Sequence, residues 1–564
     1  MTEDHASMNP NQKAGDPQET KAVVNTVASS NGEKTGKKKK GAEHSSEELL
    51  RRVIKHKIVL FHDQRGQPYA RIHEASGYRT LSVKSEEFSK WLSMIAWKEM
   101  TWSPGRESLN SARRILESMA CHDGPEYKLH VRVALHEETI WIDLDGSRAV
   151  KIMPGRWEIV ADPPILFRSF SHQKPLPEPV SGSDPLQILN HINLRTESEK
   201  KLFMAWLVVS FVPNIPIPVL ILCGPSYSGK STILSLVRRL MDPCTPEYQG
   251  RLSKLKDFTQ IASQYRLLIF DNESKITVSQ SDLLCGSVTG QGDAKRVLYT
   301  DEDTLVMEYR NVIGVSGVRL VVTQPDLMSR SLLFELEQLP NTDMHRESAF
   351  WKEFDATSGE ILGGVFDVLA GAMAIEKLVK LSWTSRLSDF THWAVAVART
   401  LGWNEEEFIL HFKSNVNRQH EAILDSDPLA RVIINWIEKR GEWEGTMSDL
   451  LTELNAEARQ LGIDPSANRW PKTPQLLSGS LSYLTPCLEH AGVSIGHIRK
   501  TSGRIVTIRL VNRNPELDLN RDNDDDYDDE DERSVIPKPA STLACDVNDT
   551  YDDDFPHLSG GSDV

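Results

Sequence analysis

The chain has 564 residues, 39% of them hydrophobic, which is enough for two to four domains with cores of their own. Its formal charge is −15, yet residues 514–564 hold seventeen Asp and Glu against three Lys and Arg, so −14 of that charge sits at one end. The remaining body is near neutral, and any charged partner has to be met by a local patch.

Residues 1–46 are polar, include the four lysines Lys37–Lys40, and are expected to form a disordered tail without an apolar leader. Residues 47–180 read as an α+β N-terminal domain. Within it, "VRVALHEETIWIDLDGSRAVKIMPGRWEIV" alternates β-prone runs with turn residues, the pattern of a meander of hairpins. "PPILFRSFSHQKPLPEPVSGSDP", 163–185, reads as a connector and a domain boundary. The stretch 202–223 carries no charge and is long enough for a membrane span, but Pro213, Pro216 and Pro218 divide it. The expectation is a buried helix to about Val212, a turn, then a core strand.

Residues 186–340 alternate helical and strand patterns and predict an α/β core with a mostly parallel sheet. Residues 341–426 read as a helical module, with apolar residues at helical spacing in "GEILGGVFDVLAGAMAIEKLV" and "LSDFTHWAVAVARTLGW". Residues 428–511 give three helices followed by a β-hairpin around "KTSG", the order of a winged helix. Thr446 with Asp449 forms a capping-box pattern, and Thr473-Pro474 marks a helix start. Residues 512–564 form an acidic tail that cannot build a core. The six cysteines are scattered without metal spacing, which points to a reducing cytoplasm and away from structural zinc.

The chemistry centres on "LILCGPSYSGKST". Gly224-Pro225-Ser226-Tyr227-Ser228-Gly229-Lys230-Ser231 fits GxxxxGK[ST], with Thr232 next, after an apolar strand and before an amphipathic helix. Backbone N–H groups of such a loop wrap phosphates, the lysine reaches the β- and γ-phosphates of ATP, and the Ser231 hydroxyl ligates Mg. The apolar run Leu267–Phe270 ends in Asp271, which completes the metal shell. Glu273 would share the Asp271 side if the strand persisted, and would then polarise water; otherwise it is a solvated loop residue. "AKRVLYTDEDTLVMEYR" reads as a hairpin with Lys295 and Arg296 at its entry. "VIGVSG" is a buried strand carrying Ser316, which can sit beside the γ-phosphate, and "PDLMSR" sets Arg330 before another strand. "TIWIDLDG" also offers Asp143 and Asp145 as a metal pair, but "LDGS" is a good hairpin turn, and the turn is the favoured reading.

In order and content these motifs resemble superfamily 3 helicases of the AAA+ class, and more closely the ATPase half of phage and mobile-element primase-helicase proteins, over residues 186–511. The resemblance implies that Lys230, Ser231 and Asp271 bind nucleotide and metal, that Ser316 stands at the place of a sensor asparagine, and that Arg330 is an arginine finger acting in a neighbouring subunit. It also implies a homo-oligomeric ring, with a hexamer as the expectation, moving on single-stranded or forked DNA. Lys295, Arg296, Arg499, Lys500 and Arg504, with His497, are the candidate DNA contacts. A primase or a single-stranded-DNA-binding protein is a candidate partner, and no membrane is. Serine for asparagine at 316, and "DNES" in place of an adjacent acidic pair, depart from the pattern and bear on the hydrolysis rate. The rival readings are a slowly turning nucleotide switch or defence ATPase, and a DNA-binding regulator with structural ATP.

Overall fold

The structure, a computed structural model, describes residues 40–56, 58–74, 77–101, 103–252, 258–296, 304–340, 346–467, 470–500 and 503–511. Of these, 40–45, 100, 291–296, 304–308, 499–500 and 503–504 are described by their backbone alone. The expected tails fall outside the described residues, except that a helix already starts at Lys40 and runs to Lys55, inside the segment assigned to the N-terminal tail. The chain is mixed α/β with several sheets and more than one hydrophobic core.

The first core belongs to residues 49–116. Strands Val59–His62, Pro68–Glu74 and Gly77–Ser82 form an antiparallel sheet. Ala70, Ile72 and Leu81 pack from it against Phe88, Trp91, Leu92 and Leu116 of helices Glu86–Met100 and Arg106–His122. The Ser85 hydroxyl caps the first of these helices by accepting from the Phe88 N–H.

The meander follows as expected: Val133–His136, Thr139–Asp143, Arg148–Met153 and Arg156–Ala161 pair in sequence order, each antiparallel to the next. "LDGS" is its central turn. Asp143 accepts from the Gly146 N–H at 2.7 Å, and Asp145 accepts from the N–H groups of Ser147 and Arg148 at 3.0 and 2.8 Å. Both carboxylates shape the turn, and Asp143 also pairs with the buried Arg132 at 3.6 Å.

The boundary drawn at 163–185 does not coincide with a break in packing. Ile140, Ile142, Val150 and Ile152 of the meander belong to the same core as the strand Val219–Cys223. The connector is itself bonded along its length. Lys174 N–H donates to Pro243 O, Leu176 N–H to Leu144 O and Val180 N–H to Gly359 O, at 2.8–3.0 Å. It lies on the glycine-rich face of the helix Glu347–Ile375. A Cβ at Gly363 would stand 1.8 Å from Val180 O, so a glycine that weakens a helix is needed here for close approach.

The central sheet has four parallel strands in the order Leu267–Phe270, Val312–Gly317, Val219–Cys223, Ser331–Glu335. All but Glu335 of these residues are buried. The preceding helix is Glu197–Val209, closed at its start by a Thr196/Glu199 capping box, and it ends three residues short of Val212. Its Trp206 indole donates to Pro218 O at 2.8 Å, tying it to the proline turn. No described helix is long and apolar enough to cross a membrane.

The helical module comprises Glu347–Ile375, Ser388–Thr400 and Glu405–Ser426. It meets the sheet edge through side-chain amides. Asn415 accepts from Leu333 N–H at 3.2 Å and donates to Leu333 O at 2.6 Å, while Gln419 donates to Ser331 O at 2.8 Å.

The last module has helices Pro428–Glu438, Met447–Gln460 and Pro474–His490 and a sheet of three strands rather than a bare hairpin. Glu442–Gly445, which was not expected, pairs with Gly503–Leu510, and that strand pairs with Val493–Lys500. Thr446 and Thr473 cap their helices as read from the sequence.

Candidate functional site

The site lies at the carboxyl ends of the parallel strands. Strand Val219–Cys223 delivers Gly224, and a Cβ there would fall 2.2 Å from Leu336 O, so the loop can leave the sheet only as glycine. Gly229, at φ +83°, turns the chain into the helix Lys230–Met241, whose first-turn N–H groups have no helical acceptor. Thr232 lies in that first turn. Pro225 and Ser226 are exposed and Ser228 is buried. The Lys230 ammonium folds back over the loop, donating to Gly224 O at 2.8 Å, Pro225 O at 2.6 Å and Ser228 Oγ at 3.0 Å. Burial lowers its pKa, and the nearby Asp271 carboxylate opposes that.

Three elements bring a connected set of polar groups together. Ser231 Oγ donates to Asp271 Oδ2 at 2.9 Å. Ser316, on the adjacent parallel strand, donates to Asp271 Oδ1, and its hydroxyl accepts from Asn272 N–H at 3.0 Å. Ser231, Asp271 and Ser316 are thus joined by hydrogen bonds, and Lys230 lies close enough to feel the Asp271 charge while bonded to the loop itself.

Glu273 is different. Asn272 takes a left-handed φ of +56°, so the strand does not persist and the period-two argument fails. Glu273 is neither solvated nor turned to Asp271. It is 5% exposed, its N–H donates to Ser316 O, and its carboxylate accepts from Leu252 N–H at 2.6 Å.

Arg330 is held within its own chain. Its guanidinium pairs with Asp326 at 2.6 Å and donates to Asp326 O at 2.8 Å. Arg386 of the helical module shares that carboxylate at 2.8 Å. The paired Arg330 pulls the Asp326 carboxyl below its usual range.

Lys295 and Arg296 are not at the hairpin's entry. The hairpin begins at Gln291, and the two residues are the last of its described first strand, opposite Leu305 and Thr304. In the last module Arg499 and Arg504 are direct cross-strand partners, and Lys500 faces Gly503. His497 is exposed. The side chains of these five basic residues lie outside the described set.

Several contributors carried no sequence signal because their partners are far away in the chain. Asn193 donates to Ser228 O at 3.1 Å and to Glu337 O at 2.8 Å, bracing the loop. Tyr248 donates to Ser231 O at 3.2 Å. At the far end of the loop's helix, Asp242 is fully buried and accepts from Arg132 Nε at 3.1 Å and from the N–H groups of Arg266 and Leu267 at 3.0 and 3.2 Å. Arg238 approaches the same carboxylate at 3.4 Å. Burial lowers the pKa of Arg266 to about 10, with Asp242 opposing.

Residues 186–405 match the family of the actinomycete integrative conjugative element replication protein, and residues 429–522 match the C-terminal domain of the same RepA family. The two matches take in more than half of the chain. Over these two stretches the chain is similar to this replication-protein family. The first match contains the glycine loop, Asp271, Ser316 and Arg330, and the second contains the three-stranded module. No curated protein matches. Among solved structures, an apo form of the NrS-1 C terminal region aligns at 12% identity and a TM-score of 0.38, covering 82% of this chain and 98% of that one. A second apo structure of that region aligns at 13% identity and 0.37, covering 83% and 99%.

Proposed function

We propose that this replication protein is an ATP-hydrolysing, ring-forming DNA translocase or helicase with an AAA+-type core. The observation that carries the reading is the Ser231–Asp271 hydrogen bond beside Lys230, at the carboxyl edge of a parallel sheet. The donor set fits the proposed ligands. A hydroxyl and a carboxylate are hard oxygen ligands suited to magnesium, and the loop is closed by glycines where side chains would block it. Lys230 would exchange its loop carbonyls for the β- and γ-phosphates, Ser231 and Asp271 would hold the ion, and Ser316 would orient the Asp271 carboxylate. The ion, when bound, supplies charge neutralisation on the phosphates.

Arg330 would complete a neighbour's site after leaving Asp326, with Arg386 remaining to hold that carboxylate. The helix–strand–helix–helix–strand–strand order of 428–510 supports a winged helix. Its hairpin, together with Lys295 and Arg296, would meet single-stranded or forked DNA. A primase or single-stranded-DNA-binding protein would be a fitting partner.

Turnover of ATP with and without single-stranded DNA tests the reading. Stimulated Mg-dependent hydrolysis that is lost in Lys230→Ala and Asp271→Ala is expected, and unchanged turnover in both variants would overturn it. The engagement of Glu273 with Leu252 favours one second reading, a nucleotide-driven oligomeric switch with slow turnover. That reading predicts assembly on ATP without DNA stimulation.

A further inference from the structure

The chain between Ser316 and Arg330 joins two parts of the proposed chemistry. Ser316 bonds Asp271 at one end, and Arg330 is held by Asp326 at the other. Two bonds tie the first half of this segment to the nucleotide side. Cys223 Sγ, at the end of the strand that delivers the glycine loop, donates to Arg319 O at 3.5 Å, and Ile276 N–H, beyond Asp271, donates to Val321 O at 3.0 Å. The second half is tied to the helical module by Arg386, which pairs with Asp326 and donates to Ser329 Oγ at 3.0 Å.

The middle of the segment is held by a third part of the chain. Tyr483, in the helix Pro474–His490 of the last module, donates its hydroxyl to Thr323 O at 2.8 Å. Thr323 stands seven residues after Ser316 and seven before Arg330. Burial, with the Asp427 carboxylate nearby, raises the pKa of the phenol, so the hydroxyl keeps the proton that it donates. The acceptor is main chain, so a displacement of the helix acts on the path of the segment and not on one side chain. The same helix reaches the far end of the segment by a second route. The centroid of its His490 ring lies 4.8 Å from that of His420, on the helix Glu405–Ser426, and the adjoining Gln419 donates to Ser331 O at 2.8 Å.

We propose that Tyr483 is a positioning residue through which DNA held by the last module sets the release of Arg330, and so the rate of ATP hydrolysis. This rests on the nucleotide and DNA reading above and assigns the link between its two halves. In that reading the segment has two states, one with Arg330 on Asp326, as seen, and one with Arg330 freed toward a neighbour. A contact that pulls on Thr323 differently in the two states biases the choice between them, and such a bias is what couples distant sites.

The test compares full-length wild type with Tyr483→Phe, which deletes one hydroxyl from a residue that is 39% exposed, so that water can take over the Thr323 carbonyl. The variant should melt as wild type does, with basal ATP turnover and affinity for a single-stranded oligonucleotide within about twofold. The stimulation of turnover by that oligonucleotide should fall at least about threefold or vanish, the scale of one hydrogen bond. In binding titrations the oligonucleotide and a non-hydrolysable ATP analogue change each other's affinity by one shared factor, and that factor should move toward one. A loosened fold alone would not move it. A smaller fall in stimulation would overturn the proposal. So would a parallel loss of basal turnover or of DNA affinity, which would mean that the hydroxyl only props the module in place. Wild type that hydrolyses ATP without stimulation by DNA would overturn it too, and would leave the ATP reading standing. Failure of that reading looks different: wild type would not turn over ATP, or Lys230→Ala would do so unchanged.

Discussion

At the scale of single residues, the polar set around Asp271 was legible in the sequence because each member is announced by a local pattern. A glycine loop precedes Lys230 and Ser231, and apolar strands end in Asp271 and carry Ser316. Glu273 was not legible, because one left-handed residue at Asn272 cancels the alternation on which its placement depended. Arg330 was placed by motif order, but its partner Asp326 lies four residues back on the same turn and keeps the guanidinium at home. If Arg330 acts in trans, Arg330→Ala should bind ATP normally and lose turnover by about 10³-fold or more. Mixing it with Lys230→Ala protein should then restore part of the activity, since one kind of mixed interface has both residues intact. Steady-state turnover across mixing ratios measures this, and the absence of rescue at every ratio would count against a shared site.

At the scale of elements, the meander, the parallel sheet and the capped helices followed from alternation, apolar runs and cap residues. The strand Glu442–Gly445 did not, because "EWEG" is four residues long, half acidic and ends in glycine; pairing with Gly503–Leu510 is what makes it a strand. The ion cluster at the end of the Lys230–Met241 helix was equally hidden, since Arg132 and Asp242 are 110 residues apart. Asp242 balances buried guanidinium groups and two strand-end N–H groups at once. Removing one partner of such a cluster leaves uncompensated buried charge. Asp242→Ala is expected to cost about 3–5 kcal/mol in denaturant unfolding. A loss under about 1 kcal/mol would show that the cluster relaxes or admits water.

At the scale of the whole molecule, composition separated a near-neutral body from a charged end but misplaced one seam. The prolines and serines of 163–185 read as a linker, whereas the segment is bonded on both sides and the meander shares the core of the parallel sheet. Composition reports the turn-forming tendency of a segment, not the carbonyls that a distant glycine-rich helix face will accommodate. Near neutrality of the body also isolates the effect of its basic hairpin. Arg499 and Arg504 occupy opposite register positions on its two strands. Arg499→Glu with Arg504→Glu should lower DNA affinity and flatten its logarithmic dependence on salt by about two, roughly one for each phosphate that is no longer neutralised. Binding titrations at several salt concentrations check this; an unchanged slope would assign the hairpin to protein docking.

The amides of Asn415 and Gln419 complete the outer strand Ser331–Glu335 as a neighbouring strand would. A row of open peptide groups is an invitation to foreign chains. Here a helix closes the row with two side chains, so the sheet ends without recruiting a stranger. The closure has a signature in time as well as in space. The Leu333 amide, at the margin of its sheet, should exchange with deuterated solvent as slowly as an interior one, and should lose that protection when position 415 can no longer accept its hydrogen.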